Sequence, residues 1–142
     1  MFEDRDVSVS DRPILAAAAG IALVATAGSL FLSEIWRLVP CELCWYQRIL
    51  MYPLVVVLGV ATLGGREGVV LTVLPLSVLG TVVAGYHSWI QATAGGAGGG
   101  CSIGSCGAVL YRLEPLGLTI PNLSLLAFLL VTLAMVVLWR RR

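Results

Sequence analysis

The chain has 142 residues, of which 58% are hydrophobic and 12% charged, and its formal net charge is +1. A soluble domain carries about a quarter charged residues, so a water-exposed globule of this size is excluded. The near-neutral balance also excludes the basic field that nucleic-acid binding needs, and no nucleic-acid partner is expected.

Residues 1–13 are polar and mix Glu3, Asp4, Asp6 and Asp11 with Arg5 and Arg12. A signal peptide has a basic start and a short apolar core. This start has neither, so the first span is expected to remain uncleaved. Four apolar spans follow, at 14–32, 45–63, 69–90 and 121–139. Each is long enough to cross a hydrocarbon core of about 30 Å at about 1.5 Å per residue. Pro75 is placed to kink the third span, and Pro121 suits the first turn of the fourth. The expected fold is an all-α membrane protein: a four-transmembrane-helix bundle, one integral membrane domain over 1–142, with one long extracytoplasmic loop at 91–120.

The connections set the topology. Gly64-Gly65-Arg66-Glu67-Gly68 reads as a tight turn, and 32–44 as a short link on the opposite side. An even number of spans puts both termini on one side. That side holds six arginines (Arg5, Arg12, Arg66, Arg140, Arg141, Arg142), against three on the other (Arg37, Arg48, Arg112), and the chain has no lysine. The positive-inside rule then places both termini in the cytoplasm of a multi-pass plasma-membrane protein. Trp36, Trp45, Tyr46, Tyr86 and Trp89 form an outer aromatic belt and Trp139 an inner one. All four cysteines fall on the outer side, where disulfides persist.

The stretch Pro40-Cys41-Glu42-Leu43-Cys44-Trp45-Tyr46-Gln47-Arg48 carries the chemistry. In a helix, Cys41, Cys44 and Arg48 share one face at i, i+3 and i+7. The thiols then lie at a helix N-terminus, where the backbone dipole and a nearby guanidinium favour the thiolate. Thiol-disulfide exchange requires that thiolate and a good leaving thiol. An arginine one turn inside the membrane is a functional group by default. Here it reads as a donor to an oxygen that gains charge on reduction. A dithiol beside a fixed cation at the lipid boundary reads as redox chemistry, making disulfides and passing the electrons to a membrane quinone. A structural bridge, or half of a metal site, is the blander reading of the Cys-x-x-Cys.

Cys101 and Cys106 follow the glycine-rich stretch 93–100, which reads as a coil that lets the pair swing. A shuttle pair fits this mobility better than a structural staple. Residues 109–116 are amphipathic and short enough to lie flat on the outer interface. His87, the one histidine, falls near the outer end of the third span, at the depth of Cys44 and Arg48. It reads either as an interfacial side chain or as part of a quinone pocket that relays protons. Gln47 reads as a second quinone donor or as an interhelix hydrogen bond.

From Pro40 to Pro53, and again at Tyr86-His87, Cys101/Cys106 and Thr119-Ile120-Pro121-Asn122-Leu123-Ser124, the sequence resembles the DsbB family of membrane disulfide oxidoreductases, particularly its shorter BdbC-like branch. The resemblance implies a four-helix enzyme that reoxidises a secreted thioredoxin-like, DsbA-like thiol oxidase and uses ubiquinone or menaquinone. It implies that Cys101 and Cys106 exchange with the partner and that Cys41 receives electrons from them. It further implies that Cys44 faces the quinone beside Arg48, with His87 a less direct match. The family's larger members space the second pair widely, whereas four residues separate it here, and the order of exchange within the pair stays open. Two alternatives remain. A vitamin-K-reductase-like quinone reductase would place its Cys-x-x-Cys ahead of the last span, where this chain has none. A membrane protein binding Zn or Cu(I) through four cysteines would sit poorly beside Arg48.

Overall fold

The computed structural model describes residues 9–64, 68–93, 106–107, 109 and 111–141. The glycine-rich stretch from 94 to 100, Cys101 and the centre of the Gly64–Gly68 turn lie outside the described residues. Four helices follow one another: α1 (Arg12–Glu34), α2 (Glu42–Gly64), α3 (Val69–Thr93) and α4 (Ile120–Arg141). All four are long and apolar enough to cross a membrane. Each extends the expected span by one to three residues at an end or at both, because the polar flanks Arg12, Glu42, Gln91 and Arg140 continue the helical turns. α3 runs through Pro75 and α2 through Pro53 as unbroken helices.

The helices form a ring in which α1 packs on α2 and α4, and α3 on α2 and α4. Buried residues recur in steps of three and four. In α2 they are Gln47, Met51, Leu54, Leu58 and Ala61, and in α4 Ala127, Phe128, Val131, Met135 and Leu138. That spacing keeps one stripe of each helix turned inward while the other faces carry exposed leucine and valine. α1 contributes small inward residues, Ala18 and Ala22, below Leu15. α3 and α4 pack tightly at Gly80, where a methyl group would collide with the ring of Phe128. Only a residue without a side chain lets that ring lie against the α3 backbone.

Asp11 and Arg141 form an ion pair at 3.6 Å, so the start of α1 and the end of α4 share one end of the bundle. Cys41, Cys44 and Cys106 lie at the other end. There α1 closes with Ile35 N–H bonded to the Phe31 carbonyl (3.0 Å) and Leu38 N–H to the Leu32 carbonyl (3.1 Å). Arg37 turns the chain with φ 53°, a left-handed conformation that costs a side-chain-bearing residue about 1 kcal/mol or more. The reversal delivers Pro40 and Cys41 onto the top of the bundle. The segment 109–116 does not simply lie flat. Arg112–Leu113 and Leu118–Thr119 pair as a short antiparallel hairpin, with Gly117 at φ 65° closing its turn. Tyr111 packs edge-on against Trp36, 5.1 Å between centroids, tying the hairpin to the end of α1. The expected belt residues Trp36, Trp45, Tyr46, Tyr86 and Trp89 are all exposed, as is Trp139.

Candidate functional site

Cys41 stands one residue ahead of α2, and its carbonyl accepts the N–H of Trp45 (3.1 Å), capping the helix. Cys44 is in the first turn. The two sulfurs are 2.9 Å apart, and both residues are free thiols. Cys41 is almost fully buried, whereas Cys44 is half-buried. The hydrogen bond from Cys44 does most to hold the Cys41 thiol well below the usual thiol range; burial opposes it and His87 adds to it.

His87 in α3 is buried and makes three contacts. Its Nε2 lies 3.1 Å from the carbonyl oxygen of Cys106, and its Nδ1 lies 3.0 Å from Nε2 of Gln47. A carbonyl only accepts, so Nε2 carries the hydrogen and donates. Nδ1 is then the acceptor for the Gln47 amide. The same Nε2 lies 3.7 Å from the Cys41 sulfur. The ring therefore joins three segments: α2 through Gln47, the first cysteine pair through Cys41, and the loop through Cys106. Cys106 is disulfide-bonded and has no exposed surface. At its own position, the freely swinging thiol expected from the glycine-rich coil is instead seated against the bundle, because a buried imidazole N–H satisfies its carbonyl. Cys101 lies outside the described residues.

On the opposite side of Cys44 is a cavity of about 50 Å³ between α1, α2 and α4, walled in part by Cys44, Gln47, Arg48, Thr26, Ser29 and Phe128. Arg48 does not reach straight out to the boundary. Its Nε donates to the Ser29 hydroxyl (2.8 Å) and its Nη2 to the Ser29 carbonyl (2.9 Å). Its guanidinium also lies 5.5 Å from the Trp45 ring centroid. An arginine within a membrane helix costs about 2.5–3.5 kcal/mol at the centre; two bonds to a neighbouring helix and a position near the end reduce that. Next to the cavity, a groove of about 640 Å³ runs down between α1 and α4. The two share Ala25, Ser29, Leu32, Ile120 and Ser124, and the groove's remaining walls are apolar or glycine.

The structure thus brings Cys41, Cys44, Gln47, Arg48, His87 and Cys106 to one end of the bundle. Gln47 makes the expected bond across the helix interface, to His87, and also lines the cavity. His87 is not in the cavity wall; it faces Cys41 and Cys106 instead. Sequence reasoning missed Thr26 and Ser29. The available signal was a run of hydroxyls at 26, 29 and 33 along one side of an otherwise apolar first span.

Comparison with known proteins shows the family. Residues 11–138 match the family model for disulfide bond formation protein DsbB. The chain is 42% identical over 116 residues to disulfide bond formation protein C of Bacillus subtilis, covering 81% of this chain and 84% of that one. It is 43% identical over 124 residues to a probable disulfide formation protein of Deinococcus radiodurans, covering 78% of each. A probable disulfide formation protein of Oceanobacillus iheyensis is 43% identical over 113 residues, covering 78% of this chain and 77% of that one. No solved structure matches. A helical membrane bundle with two free thiols in a Cys-x-x-Cys is the architecture of a membrane oxidoreductase for disulfide formation. The chain belongs to the DsbB family.

Proposed function

We propose that this protein is a plasma-membrane thiol:quinone oxidoreductase that reoxidises an extracytoplasmic thioredoxin-like (DsbA-like) thiol oxidase. The observation that carries this reading is the position of the Cys41/Cys44 pair. Cys41 sits against His87, which also holds Cys106, and Cys44 sits in the wall of the Arg48 cavity. One dithiol is therefore linked through His87 to Cys106 on one side and lines a cavity with Arg48 on the other. The arginine count supports an orientation with this end outside the cell and both termini in the cytoplasm.

The sequence of exchanges follows from accessibility. Cys106 is buried, with its carbonyl on the same His87 nitrogen that faces Cys41, which supports Cys101 as the thiol that meets the partner. A partner thiolate attacks Cys101, and Cys106 leaves as a thiolate. The partner's second thiol resolves the mixed disulfide and departs oxidised, leaving Cys101 and Cys106 reduced. Cys106 then attacks Cys41 of an oxidised 41–44 pair, and Cys44 leaves toward the cavity. Cys101 attacks Cys106, restoring the 101–106 disulfide and freeing Cys41. The 41–44 dithiol finally recloses, losing two electrons and two protons. The lowered pKa of Cys41 suits its role as a leaving thiol.

The polar lining of the cavity suits a carbonyl of ubiquinone or menaquinone, with the ring extending into the adjoining groove. Arg48 keeps three N–H hydrogens beyond its two bonds to Ser29, the Thr26 hydroxyl has no partner, and the adjoining groove suits an isoprenoid tail. Bound there, the quinone supplies a two-electron, two-proton acceptor soluble in lipid. Arg48 orients its oxygen and offsets charge that develops on reduction.

The test is anaerobic turnover of a reduced thioredoxin-like protein with added quinone, with thiols trapped by mass-tagging. Stoichiometric quinol and substrate disulfide are expected. Disulfide formation that proceeds at the same rate without any quinone removes the acceptor from the scheme. A soft-metal reading has one supporting observation: the ligand atoms of Cys41, Cys44 and His87 lie within 4.8 Å of one another. It would need His87 Nε2 to give up its bond to Cys106, and about one bound Zn per purified chain would favour it.

A further inference from the structure

Five helical threonines return their hydroxyls to the backbone one turn earlier. Thr62, Thr81, Thr93 and Thr132 bond the carbonyls of Leu58, Ser77, Trp89 and Phe128 at 2.7–2.8 Å, and Thr72 bonds that of Gly68 at 3.4 Å. This is the ordinary way for a threonine to satisfy itself inside an apolar helix. Among the described helical threonines, Thr26 is the exception; the Ser88 hydroxyl in α3 is likewise buried without a partner, but only Thr26 of the two lies in the cavity wall. Its Oγ1 is sealed from solvent and bonds nothing, and the residue lies in the wall of the cavity with Cys44 and Arg48. A buried hydroxyl without a partner costs about 1–3 kcal/mol, and a backbone carbonyl one turn away offers the usual remedy. A threonine that forgoes that remedy at the edge of a cavity is kept for something that enters it.

We infer that Thr26 is a ligand-contacting residue of the cavity, its hydroxyl forming a hydrogen bond to an oxygen of the electron acceptor. The inference rests on the quinone reading given above. Its chemistry is specific to an acceptor whose oxygen changes character. A quinone carbonyl only accepts a hydrogen bond, and a quinol hydroxyl can also donate one. Arg48 has donors alone, whereas a threonine hydroxyl is both donor and acceptor. Thr26 can therefore hold the ligand in both redox states, and Arg48 favours the oxidised and partly charged ones. Ser29, one turn further along α1, holds the guanidinium on the same side of the cavity. In this arrangement α1 supplies the Thr26 hydroxyl while α2 supplies Arg48 and the thiol.

The test is equilibrium binding of short-chain ubiquinone and of its quinol to the purified full chain in detergent, read by quenching of intrinsic tryptophan fluorescence. The exchange rate of the cysteines with a reduced dithiol in the absence of quinone is measured alongside. Loss of one hydrogen bond in T26V is expected to weaken both ligands about three- to tenfold, with the exchange rate unchanged. T26S, which keeps the hydroxyl, is expected to bind within about twofold of the wild type, and T62V to be indistinguishable from it. If T26V does not fold, T26A decides the matter in the same two measurements. Wild-type affinity in the variant lacking the hydroxyl overturns the inference. A wild-type protein that binds no quinone overturns the reading beneath it instead, so the two failures are distinguishable.

Discussion

Cys41 and Cys44 are three residues apart, but their surroundings have little in common. Cys41 is nearly inaccessible and is bounded by protein groups: the Cys44 sulfur, the His87 imidazole, and through it the Cys106 backbone. Cys44 opens toward a cavity whose polar groups come from α1 and from Arg48, with an apolar groove beyond. The two thiols are equivalent in the motif and become distinct because the helix start points one at α3 and the other at α1. Under the proposed function, protein-to-protein exchange and protein-to-lipid electron transfer would occur at neighbouring atoms without sharing a binding surface. Gln47 touches both sides, bonding His87 while lining the cavity.

The largest expected effect comes from removing either sulfur, and the two losses should differ in kind. Cys44→Ser abolishes turnover but leaves Cys41 able to exchange into a mixed disulfide with Cys106, in equilibrium with the 101–106 disulfide and detectable by rapid acid quench and non-reducing mass analysis. Cys41→Ser abolishes turnover and forms no such species. If both variants trap the same adduct, the division of roles is wrong.

His87→Ala comes next. It strands the Gln47 amide and the Cys106 carbonyl at buried positions, which costs about 1–3 kcal/mol and lowers the thermal midpoint. Rapid-quench trapping should show slower transfer between the two cysteine pairs, while quinone affinity stays near wild type because the ring is not in the cavity wall. A selective loss of quinone affinity would move His87 to the other side of the comparison.

The pH dependence of Cys41 probes the same boundary. A thiol whose pKa is lowered is thiolate, and reactive, at all pH values above that pKa. Cys44→Ala removes the main cause of the lowering, so the midpoint of Cys41 alkylation should move to higher pH and its rate near pH 6 should fall. An unmoved midpoint would assign the effect to His87 and the helix terminus.

Gly80→Ala acts on the cavity indirectly. The added methyl would meet the Phe128 ring, which is itself part of the cavity wall. Overpacking of this kind costs about 1–3 kcal/mol, and quinone affinity should change while exchange between the cysteine pairs does not. The smallest expected effect belongs to Ser29→Ala. It removes the side-chain half of the hold on Arg48 and leaves the backbone half. Polar contacts between membrane helices average about 0.6 kcal/mol, so roughly a threefold weaker quinone affinity is expected, readable only by direct binding.

Much of this molecule is determined by composition and local pattern. Apolar runs bounded by arginine, glutamate and glycine fix four membrane helices, since a backbone in lipid has to satisfy its own hydrogen bonds. The Cys-x-x-Cys and Arg48 are legible for the same reason: their spacing relative to the helix start is short-range. What the tertiary structure alone decided is which groups meet across helices. Residues 29 and 48 are far apart in the chain, as are 47 and 87, and no periodicity says that their side chains touch. The burial of Cys106 was hidden for the same reason, because glycine content reports how freely a segment can move and not what holds its end. The two-stranded pairing around Gly117 and the unpartnered hydroxyl of Thr26 also depend on neighbours. Sequence states where a polar group sits along its own helix, and only packing states what lies opposite it.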